Sequence, residues 1–418
     1  MAGRRSAGVL GRLWFRTLRV EGPPPPEGPC LFLLNHPNGL LDPVVAAAVL
    51  DRPCGWLAKA TLWKLAPLRP FLRAFQAIPI TRPKDGGATR ASILAAFRKV
   101  HEAFAQGRSV AMFPEGISHT GADLAPLKTG AARIALSSEV RPALLPAGLV
   151  YGDRTTFRHG ALLRLGPPIP WDDLAHRGDE PQAVAELTRR IRSGLLPLTL
   201  HDPDARRLGL AQDIAWLLAE GPAGRADLEA LRTRVRGLVA LLERMEADPL
   251  ADLERRVRLA QDWLRERGLR ADQVGHPYAG AEVRRWLPAA GLRLAAAGLL
   301  LGPALLFWPA YRAVGLAADR LTEEGDQVAT LKLLGGILVH PLWALGLSAG
   351  AWAALGRAWA LAPPAALLLT LAGFPTLERA AEDLQAIRGF LARWDPEAQA
   401  LAEARRELLE AFPELVGP

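Results

Sequence analysis

Cysteine is scarce in this chain: Cys30 and Cys54 are the only two among 418 residues. Both lie in short apolar runs typical of strands, which favours two buried thiols over a disulfide bond. The sequence therefore indicates a reducing, cytoplasmic setting. A cleavable signal peptide is not predicted, because Arg4 and Arg5 are followed by neither a long apolar run nor a cleavage site.

The signatures of nucleic-acid binding are also missing. The formal net charge of +8 and the isoelectric point near 10.0 suggest an anionic partner. However, there is no zinc-finger spacing, no RNP-like aromatic motif and no long run of lysine or arginine. Half of the residues are hydrophobic and 22% are charged. This composition is better matched to an anionic membrane surface and to phosphate-bearing substrates.

Two further absences limit the classes of reaction that the protein could catalyse. The one Gly-x-Ser-x-Gly pattern, at residues 346–350, lies inside a long apolar stretch and not at a strand-to-helix turn, so no nucleophile elbow is predicted and a serine hydrolase is disfavoured. His201, Asp202 and Asp204 are the nearest approach to a metal-ligand cluster, but their pattern is typical of a turn or a helix cap. We therefore predict neither a metal site nor a hydrolase of the serine or metal type.

From residue 30 onward, short apolar runs alternate with helical patterns over about 140 residues. This alternation predicts an α/β fold with a largely parallel sheet flanked by helices. The predicted strands are Cys30–Leu34, Cys54–Ala58, Phe75–Ile80, Ser109–Phe113, Ala143–Val150 and Ala161–Leu165. The predicted helices between them are Val44–Leu50, Leu62–Arg73, Ala88–Gln106 and Leu127–Ser137.

The first predicted strand is followed by a polar turn, Asn35 to Pro43, which contains His36 and Asp42. A histidine at a strand end and an aspartate at a helix start can come within hydrogen-bond reach. The carboxylate would then orient the imidazole as a general base. Two simpler interpretations remain open at this point: Asp42 before Pro43 is typical of a helix N-cap, and a histidine in a turn is usually solvated.

A second polar stretch, Phe113-Pro114-Glu115-Gly116-Ile117-Ser118-His119, follows the predicted strand Ser109–Phe113. Because parallel strands end at the same edge of an open α/β sheet, we expect this stretch to lie near His36 and Asp42. The sequence therefore predicts one polar site at the carboxyl edge of the sheet.

Together these stretches resemble the glycerolipid acyltransferase superfamily, whose first block is a His and an Asp a few residues apart and whose later block is Phe-Pro-Glu-Gly. Two features depart from most members: five residues separate His36 from Asp42 instead of four, and Ile117-Ser118-His119 replaces the usual Thr-Arg-Ser. Both departures are similar to the branch of fungal-type glycerol-3-phosphate and dihydroxyacetone-phosphate acyltransferases. The resemblance covers about residues 28–170, with further blocks at 78–82 and 145–149.

The resemblance implies that Glu115 and Gly116 line the acceptor site, with Glu115 hydrogen-bonding a glycerol hydroxyl, and that Ser118 and His119 tune acceptor choice. Arg82, just past a predicted strand end, is the leading candidate for the acceptor's phosphate, because a guanidinium matches phosphate in bidentate geometry.

Other roles at the predicted site are less specific. Lesser phosphate candidates are Lys84, Lys128 and Arg158. Backbone N–H groups of the turn 37–39 are candidates for stabilising the oxyanion. A covalent acyl-enzyme on Cys30 is disfavoured by the apolar run around it.

The C-terminal half contains three long stretches that are almost free of charge: residues 294–311, 333–356 and 358–377. We predict the first two as transmembrane helices and the third as a span or a re-entrant segment. Arg284, Arg285 and Arg293 favour a cytoplasmic start. His340 lies within the second stretch, where a neutral side chain facing a partner helix is favoured over a functional role.

These patterns divide the chain into five predicted segments. They are an N-terminal interfacial helix and linker (1–27), an acyltransferase domain (28–200), a soluble helical region (201–288), a transmembrane region (289–377) and a polar helical tail (378–418). Within the first, residues 8–20 fit a short helix, either at the lipid interface or packed on the domain.

The resulting hypothesis is an integral membrane O-acyltransferase of phospholipid synthesis, with its catalytic domain on the cytoplasmic side of the cell membrane. The donor is acyl-CoA or acyl carrier protein, no cofactor is needed, and membrane lipids surround the protein. The acceptor is glycerol 3-phosphate or dihydroxyacetone phosphate, with lysophosphatidate or another lysophospholipid as the alternative. A hypothesis of another class is a membrane scaffold that keeps the fold without catalysis.

Overall fold

The computed structural model describes residues 2–50, 52–64, 66–81, 89–219, 227–276, 278–322 and 325–411. The chain forms two compact units. The first comprises Met1–Ala205 together with the short segment Glu324–Thr330, and the second comprises Arg206–Glu323 with Leu331–Pro418.

The first unit is built on a sheet of seven strands in the order β1-β7-β6-β2-β5-β3-β4. Neighbouring strands are parallel except β6 and β7, which are antiparallel. The strands are β1 Thr17–Glu21, β2 Cys30–Leu34, β3 Cys54–Lys59, β4 Ala77–Ile80, β5 Ser109–Met112, β6 Ala143–Tyr151 and β7 Gly160–Leu165. The predicted α/β fold with a largely parallel sheet is therefore confirmed.

Helices cover this sheet and connect its parallel strands. In chain order they are α1 Ala2–Trp14, α2 Leu41–Val49, α3 Arg69–Ala74, α4 Arg90–Ala105, α5 Gly130–Leu136 and α6 Pro181–Leu195. All five residues of β2 are buried, as are all four of β5. Strands covered on both faces need apolar side chains at every position, which is why they read as continuous hydrophobic runs.

The centre of the sheet is β2, which pairs in parallel with β5 on one side and with β6 on the other. Leu33 lies opposite Met112 of β5, and Leu34 lies opposite Ala147 of β6. The chain leaves β2 towards one side of the sheet and returns later on the other, and the carboxyl ends of strands at such a switch point are where open α/β sheets bind ligands. The polar segments that follow β2 and β5 both lie at this edge.

The expectation of a helix over residues 8–20 is only half correct. The helix α1 ends at Trp14, and Thr17–Glu21 form the edge strand β1, in register with Gly160–Arg164 of β7. A partner more than 140 residues away stabilises this strand, so local sequence could not reveal it. The buried Trp14 and Phe15 anchor the end of α1 on the domain.

The second unit is helical. Its helices are α7 Ala205–Leu217, α8 Leu228–Leu242, α9 Ala247–Arg267, α10 Gly280–Leu321, α11 Gly325–Leu355, α12 Ala362–Ala392 and α13 Pro396–Ala411. The first residue of α7 and the first six of α11 belong to the first unit by their contacts. Among the residues that the structure describes, three segments are long and apolar enough to cross a membrane: Gly280–Leu321, Gly325–Leu355 and Arg357–Ala392.

A partly buried ion pair joins α10 to α12. The guanidinium of Arg293 donates to both carboxylate oxygens of Asp383, at 2.6 and 2.8 Å, and the indole of Trp286 donates to the same carboxylate. Farther along, the Nδ1–H of His340 in α11 donates to the carbonyl of Gly336 one turn earlier, at 3.0 Å. This bond satisfies one nitrogen of the histidine within its own helix.

Candidate active site

The two residues of the predicted base meet as expected from their spacing. The Nδ1 of His36 lies 2.7 Å from Oδ2 of Asp42, and the aspartate side chain is fully buried. An ionised carboxylate only accepts hydrogen bonds, so Nδ1 carries the proton and Nε2 is left as the basic nitrogen. No hydrogen bond from the described residues occupies Nε2. The imidazole is therefore oriented to accept a proton from a ligand.

Asp42 is held by more than the histidine. Its Oδ2 also accepts the backbone N–H of Asn38 at 2.8 Å, and its Oδ1 accepts the hydroxyl of Tyr151 at 2.5 Å. The helix α2 begins at Leu41 after an N-cap at Leu40, so Asp42 is not the cap that one sequence interpretation allowed. Its carboxylate instead joins the His36 turn to the end of β6.

Tyr151 is buried at the last position of β6. Burial raises the pKa of its hydroxyl well above the ordinary value, and the negative charge of Asp42 and the hydrogen bond to it add to the rise. The phenol therefore stays protonated at neutral pH and acts as a permanent donor to the carboxylate. On its other side, its ring packs against Phe15, with ring centroids 5.8 Å apart.

The ring of His36 is also fixed from one face. Phe113, the first residue of the Phe-Pro-Glu-Gly stretch, stacks on the imidazole with centroids 3.8 Å apart and an interplanar angle of 8°. Trp56 supports Phe113 from β3 at 5.8 Å. Stacking restricts rotation of the imidazole, and the face of an aromatic ring also attracts the cation that forms when the histidine takes a proton.

Glu115 anchors the His36 segment. Its Oε1 accepts the backbone N–H of His36 at 2.8 Å, and its Oε2 accepts the backbone N–H of Ala125 at 2.8 Å and the Nε2–H of His119 at 2.5 Å. The Nδ1 of His119 accepts the backbone N–H of Gly121, which assigns its tautomer. Since this buried carboxylate already has three donors, a glycerol hydroxyl would have to displace one of them.

Glu115→Gln is expected to destabilise the protein, because an amide offers one acceptor oxygen where the carboxylate offers two. The N–H of His36 or of Ala125 would then face an NH₂ group, and each buried donor left unpaired costs about 1–3 kcal/mol of the free energy of unfolding. The thermal unfolding midpoint in detergent measures this loss. Glu180→Gln, which breaks an exposed pair with Arg177, serves as the control and should cost less than about 1 kcal/mol. Equal shifts for both variants would contradict the anchoring role.

The turn between His36 and Asp42 requires a glycine at one position. Gly39 has a φ of +45°, and a Cβ there would lie 2.8 Å from the Oγ1 of Thr330 and 2.9 Å from the carbonyl oxygen of Asp326. Both residues belong to the short segment that packs with the first unit. Thr330 also accepts the backbone N–H of Leu40 at 3.0 Å. This contact, which sequence analysis did not find, holds the turn from outside.

The remaining predicted site residues are placed as follows. Gly116 has a φ of +71°, which favours glycine, and a Cβ there would lie 3.3 Å from the Lys128 side chain. Lys128 is exposed, and its backbone N–H donates to the carbonyl of Pro114. Ser118 is half-buried in the same segment. Arg82 lies outside the described residues, as does Lys84.

Both cysteines carry free thiols. Burial raises the pKa of the Cys30 thiol, although Arg52 and the Ser109 hydroxyl act in the opposite direction. A thiol kept protonated is a poor nucleophile, which argues against an acyl-enzyme at Cys30.

Sequence analysis missed three residues around the histidine: Asn38, Tyr151 and Arg154. Asn38 lies within the recognised turn, where its polar type was the only signal. Its Nδ2 donates to the carbonyl of Arg154 at 2.8 Å. Tyr151 and Arg154 come from the end of β6, and only the pairing of β6 with β2 brings them close to His36.

The part of the chain that holds this site is similar to a known protein family. A family model described as Acyltransferase matches residues 17–150, which include His36, Asp42 and Glu115. This segment is an acyltransferase domain. The resemblance found in the sequence blocks is thereby confirmed.

Two curated relatives come from Saccharomyces cerevisiae. Glycerol-3-phosphate O-acyltransferase 2 is 28% identical over 258 residues, which are 56% of this chain and 35% of that protein. Glycerol-3-phosphate O-acyltransferase 1 is 30% identical over 168 residues, which are 38% of this chain and 22% of that protein. The aligned part of this chain thus spans about a third or less of the length of these relatives.

One further relative and one solved structure are also similar to this chain. An uncharacterized acyltransferase of Schizosaccharomyces pombe is 31% identical over 125 residues, 28% of this chain and 18% of that protein. The crystal structure of PlsC, a 1-acyl-sn-glycerophosphate acyltransferase from Thermotoga maritima, aligns with a TM-score of 0.34 and 16% identity. It covers 46% of this chain and 77% of that one.

Proposed function

We propose that this protein transfers a fatty acyl group from an acyl thioester, acyl-CoA or acyl carrier protein, to the hydroxyl of glycerol 3-phosphate or dihydroxyacetone phosphate. The observation that carries the proposal is the hydrogen bond between His36 and the buried Asp42 at the sheet edge of an acyltransferase domain. The names of the two yeast relatives support glycerol 3-phosphate as the acceptor. The reaction would be a step of phospholipid synthesis.

In the proposed reaction, Nε2 of His36 takes the proton from the acceptor hydroxyl as its oxygen attacks the thioester carbonyl carbon. The carbon–sulfur bond then breaks, and the proton on His36 passes to the leaving thiolate. Asp42 stabilises the imidazolium in between. A positioned base of this kind contributes about 10²–10⁴-fold to the rate. The enzyme itself needs no nucleophile.

The developing oxyanion needs a hydrogen-bond donor near His36. Within the turn 37–39, Pro37 has no N–H and the N–H of Asn38 is taken by Asp42. The N–H of Gly39 makes no hydrogen bond with the described residues, so we propose it as the donor. For the acceptor's phosphate, Arg82 remains the proposal drawn from sequence, with Lys128 as a lesser candidate.

The deciding experiment incubates purified full-length protein with labelled palmitoyl-CoA and a panel of acceptors. Glycerol 3-phosphate or dihydroxyacetone phosphate should be esterified faster than lysophosphatidate. Preferential labelling of lysophosphatidate would move the assignment to the alternative acceptor class. If no acceptor became labelled with either acyl-CoA or acyl carrier protein as donor, the non-catalytic scaffold would replace the enzyme.

We further propose that the protein is integral to the cell membrane, with the catalytic domain on the cytoplasmic side. The three candidate spans carry large apolar side chains on their exposed faces, including Leu299, Leu345 and Leu361. In a bilayer, lipid chains would cover these faces, so that their apolar side chains would not be exposed to water.

Membrane integration has a direct test in cell fractions. Detergent should be required to extract the protein, because the apolar helices cannot leave the bilayer for water. Washing with high salt or alkaline carbonate should leave the protein in the pellet. Release by either wash would show that the helices Gly280–Leu321 and Gly325–Leu355 do not span the membrane.

A further inference from the structure

The loop that follows β6 is tied firmly to the His36 turn. Asn38 donates its Nδ2–H to the carbonyl oxygen of Arg154, and Tyr151, three residues earlier, donates to Asp42. Asp153 closes the loop from within: its carboxylate accepts the backbone N–H groups and the hydroxyls of Thr155 and Thr156. The backbone of Arg154 is therefore held at the same edge as the catalytic histidine.

The side chain of Arg154 lies near two carboxylates but pairs with neither of them. It is half-buried, yet it makes no hydrogen bond or ion pair with the residues that the structure describes. The two carboxylates that act on it are already engaged: Asp42 by three donors and Asp153 by its own turn. Burial lowers the pKa of the guanidinium, although Asp42, Tyr151 and Asp153 oppose that change.

Two other arginines of the same unit have clear partners. Arg158, four residues later, donates its Nη1–H to the carbonyls of Arg12, Leu13 and Phe15 at the end of α1, which is a structural role. Arg190 pairs with acidic side chains on the surface. A partly buried cation is costly unless an anion pairs with it, and the two carboxylates near Arg154 are already engaged, so this guanidinium beside the active site is suited to an anionic ligand.

We propose that Arg154 binds the phosphate of the acceptor and thereby positions the acceptor's hydroxyl for His36. This inference rests on the proposed acyl transfer and adds, beside Arg82, a further residue that recognises the phosphomonoester. A guanidinium offers two parallel N–H donors to two phosphate oxygens, which fixes orientation as well as affinity. The phosphates of an acyl-CoA donor share this chemistry, so the experiments separate the two sources.

The first experiment compares steady-state kinetics of the wild type, Arg154→Gln and Arg154→Lys with palmitoyl-CoA and glycerol 3-phosphate. Arg154→Gln should raise the KM for glycerol 3-phosphate about 10–100-fold, the usual effect of losing a hydrogen bond to a charged group. Arg154→Lys should show a smaller rise, because it keeps the charge without the planar fork. The KM for palmitoyl-CoA should stay within about two-fold of the wild type.

A control variant and a second substrate distinguish recognition from a structural effect. Arg141→Gln removes an exposed arginine of the same unit and should change neither KM. With glycerol, an acceptor that has no phosphate, wild type and Arg154→Gln should react at the same rate. An equal loss with glycerol and with glycerol 3-phosphate would overturn the proposal.

The donor's phosphates are tested with the palmitoyl thioester of N-acetylcysteamine, which carries none. The acceptor assignment would be overturned if Arg154→Gln raised only the KM for palmitoyl-CoA. In that case the KM for the N-acetylcysteamine thioester and the KM for glycerol 3-phosphate would both stay unchanged. If the N-acetylcysteamine donor shows the same rise in acceptor KM as palmitoyl-CoA does, the assignment stands.

Calorimetric binding of glycerol 3-phosphate gives a readout that does not depend on turnover. The wild type and Arg141→Gln should bind it, and Arg154→Gln should bind it about 10–100-fold more weakly. If the protein bound glycerol 3-phosphate in this way but transferred no acyl group, the phosphate site would stand and the proposed reaction would be wrong. Equal binding by wild type and Arg154→Gln would remove the phosphate site, whatever the turnover.

Discussion

Replacing His36 with alanine should lower the rate of acyl transfer by roughly 10²–10⁴-fold, because the variant lacks the base that takes the acceptor's proton. The imidazole is largely enclosed between Phe113 and Asp42, and within the described part of the chain its one hydrogen bond is to Asp42. The backbone N–H that Glu115 holds remains in the variant. Folding and membrane insertion should therefore persist while kcat falls.

The control for this variant is His176→Ala, which removes an exposed histidine of the same unit. Its rate should stay within about two-fold of the wild type. Initial rates with labelled palmitoyl-CoA measure both variants, and the unfolding midpoint checks that each is folded. Wild-type turnover by a folded His36→Ala protein would falsify the proposed mechanism.

Asp42→Asn should lower the rate nearly as much, again by roughly 10²–10⁴-fold, and without unfolding the protein. The amide oxygen can keep the bonds from His36 and from the backbone of Asn38. The NH₂ group can donate to Tyr151, whose hydroxyl is able to turn and accept. What disappears is the negative charge that stabilises the imidazolium. The loss should appear in kcat with both CoA and N-acetylcysteamine donors.

The double variant tests whether the two residues act as one unit. If Asp42 works only through His36, then His36→Ala combined with Asp42→Asn should be no slower than His36→Ala alone. Tyr151→Phe is a milder companion, since it removes one donor and leaves the charge. Near-normal rates for Asp42→Asn would leave the carboxylate only the structural role of joining the turn to β6.

The strands that carry the site could be read from local sequence with small errors in their ends. Buried strands such as Cys30–Leu34 and Ser109–Met112 need apolar side chains at every position, and this requirement is visible in the sequence. The edge strand Thr17–Glu21 was missed because it is half exposed and contains charged residues, and because its only partner is β7. Burial on two faces leaves a local signature, whereas pairing at an edge does not.

In the candidate site, too, some features could be predicted from local sequence and others could not. His36, Asp42 and Glu115 follow strand ends, and the rule that parallel strands end at one edge places them together before any coordinates are known. Glu115 was expected to face the acceptor, but in the structure it holds the backbone of His36. A carboxylate can bind a ligand or a backbone N–H equally well, and the sequence does not distinguish the two.

By itself, the sequence determined the α/β class, the acyltransferase blocks and the three apolar helices, because each depends on residues close together along the chain. Only the tertiary structure decided that Tyr151 completes the carboxylate network and that Arg154 lies beside it without a side-chain partner among the described residues. Both follow from the place of β6 next to β2, a contact between residues more than 100 positions apart. Such pairings are chosen by the packing of the whole sheet, which no local pattern records.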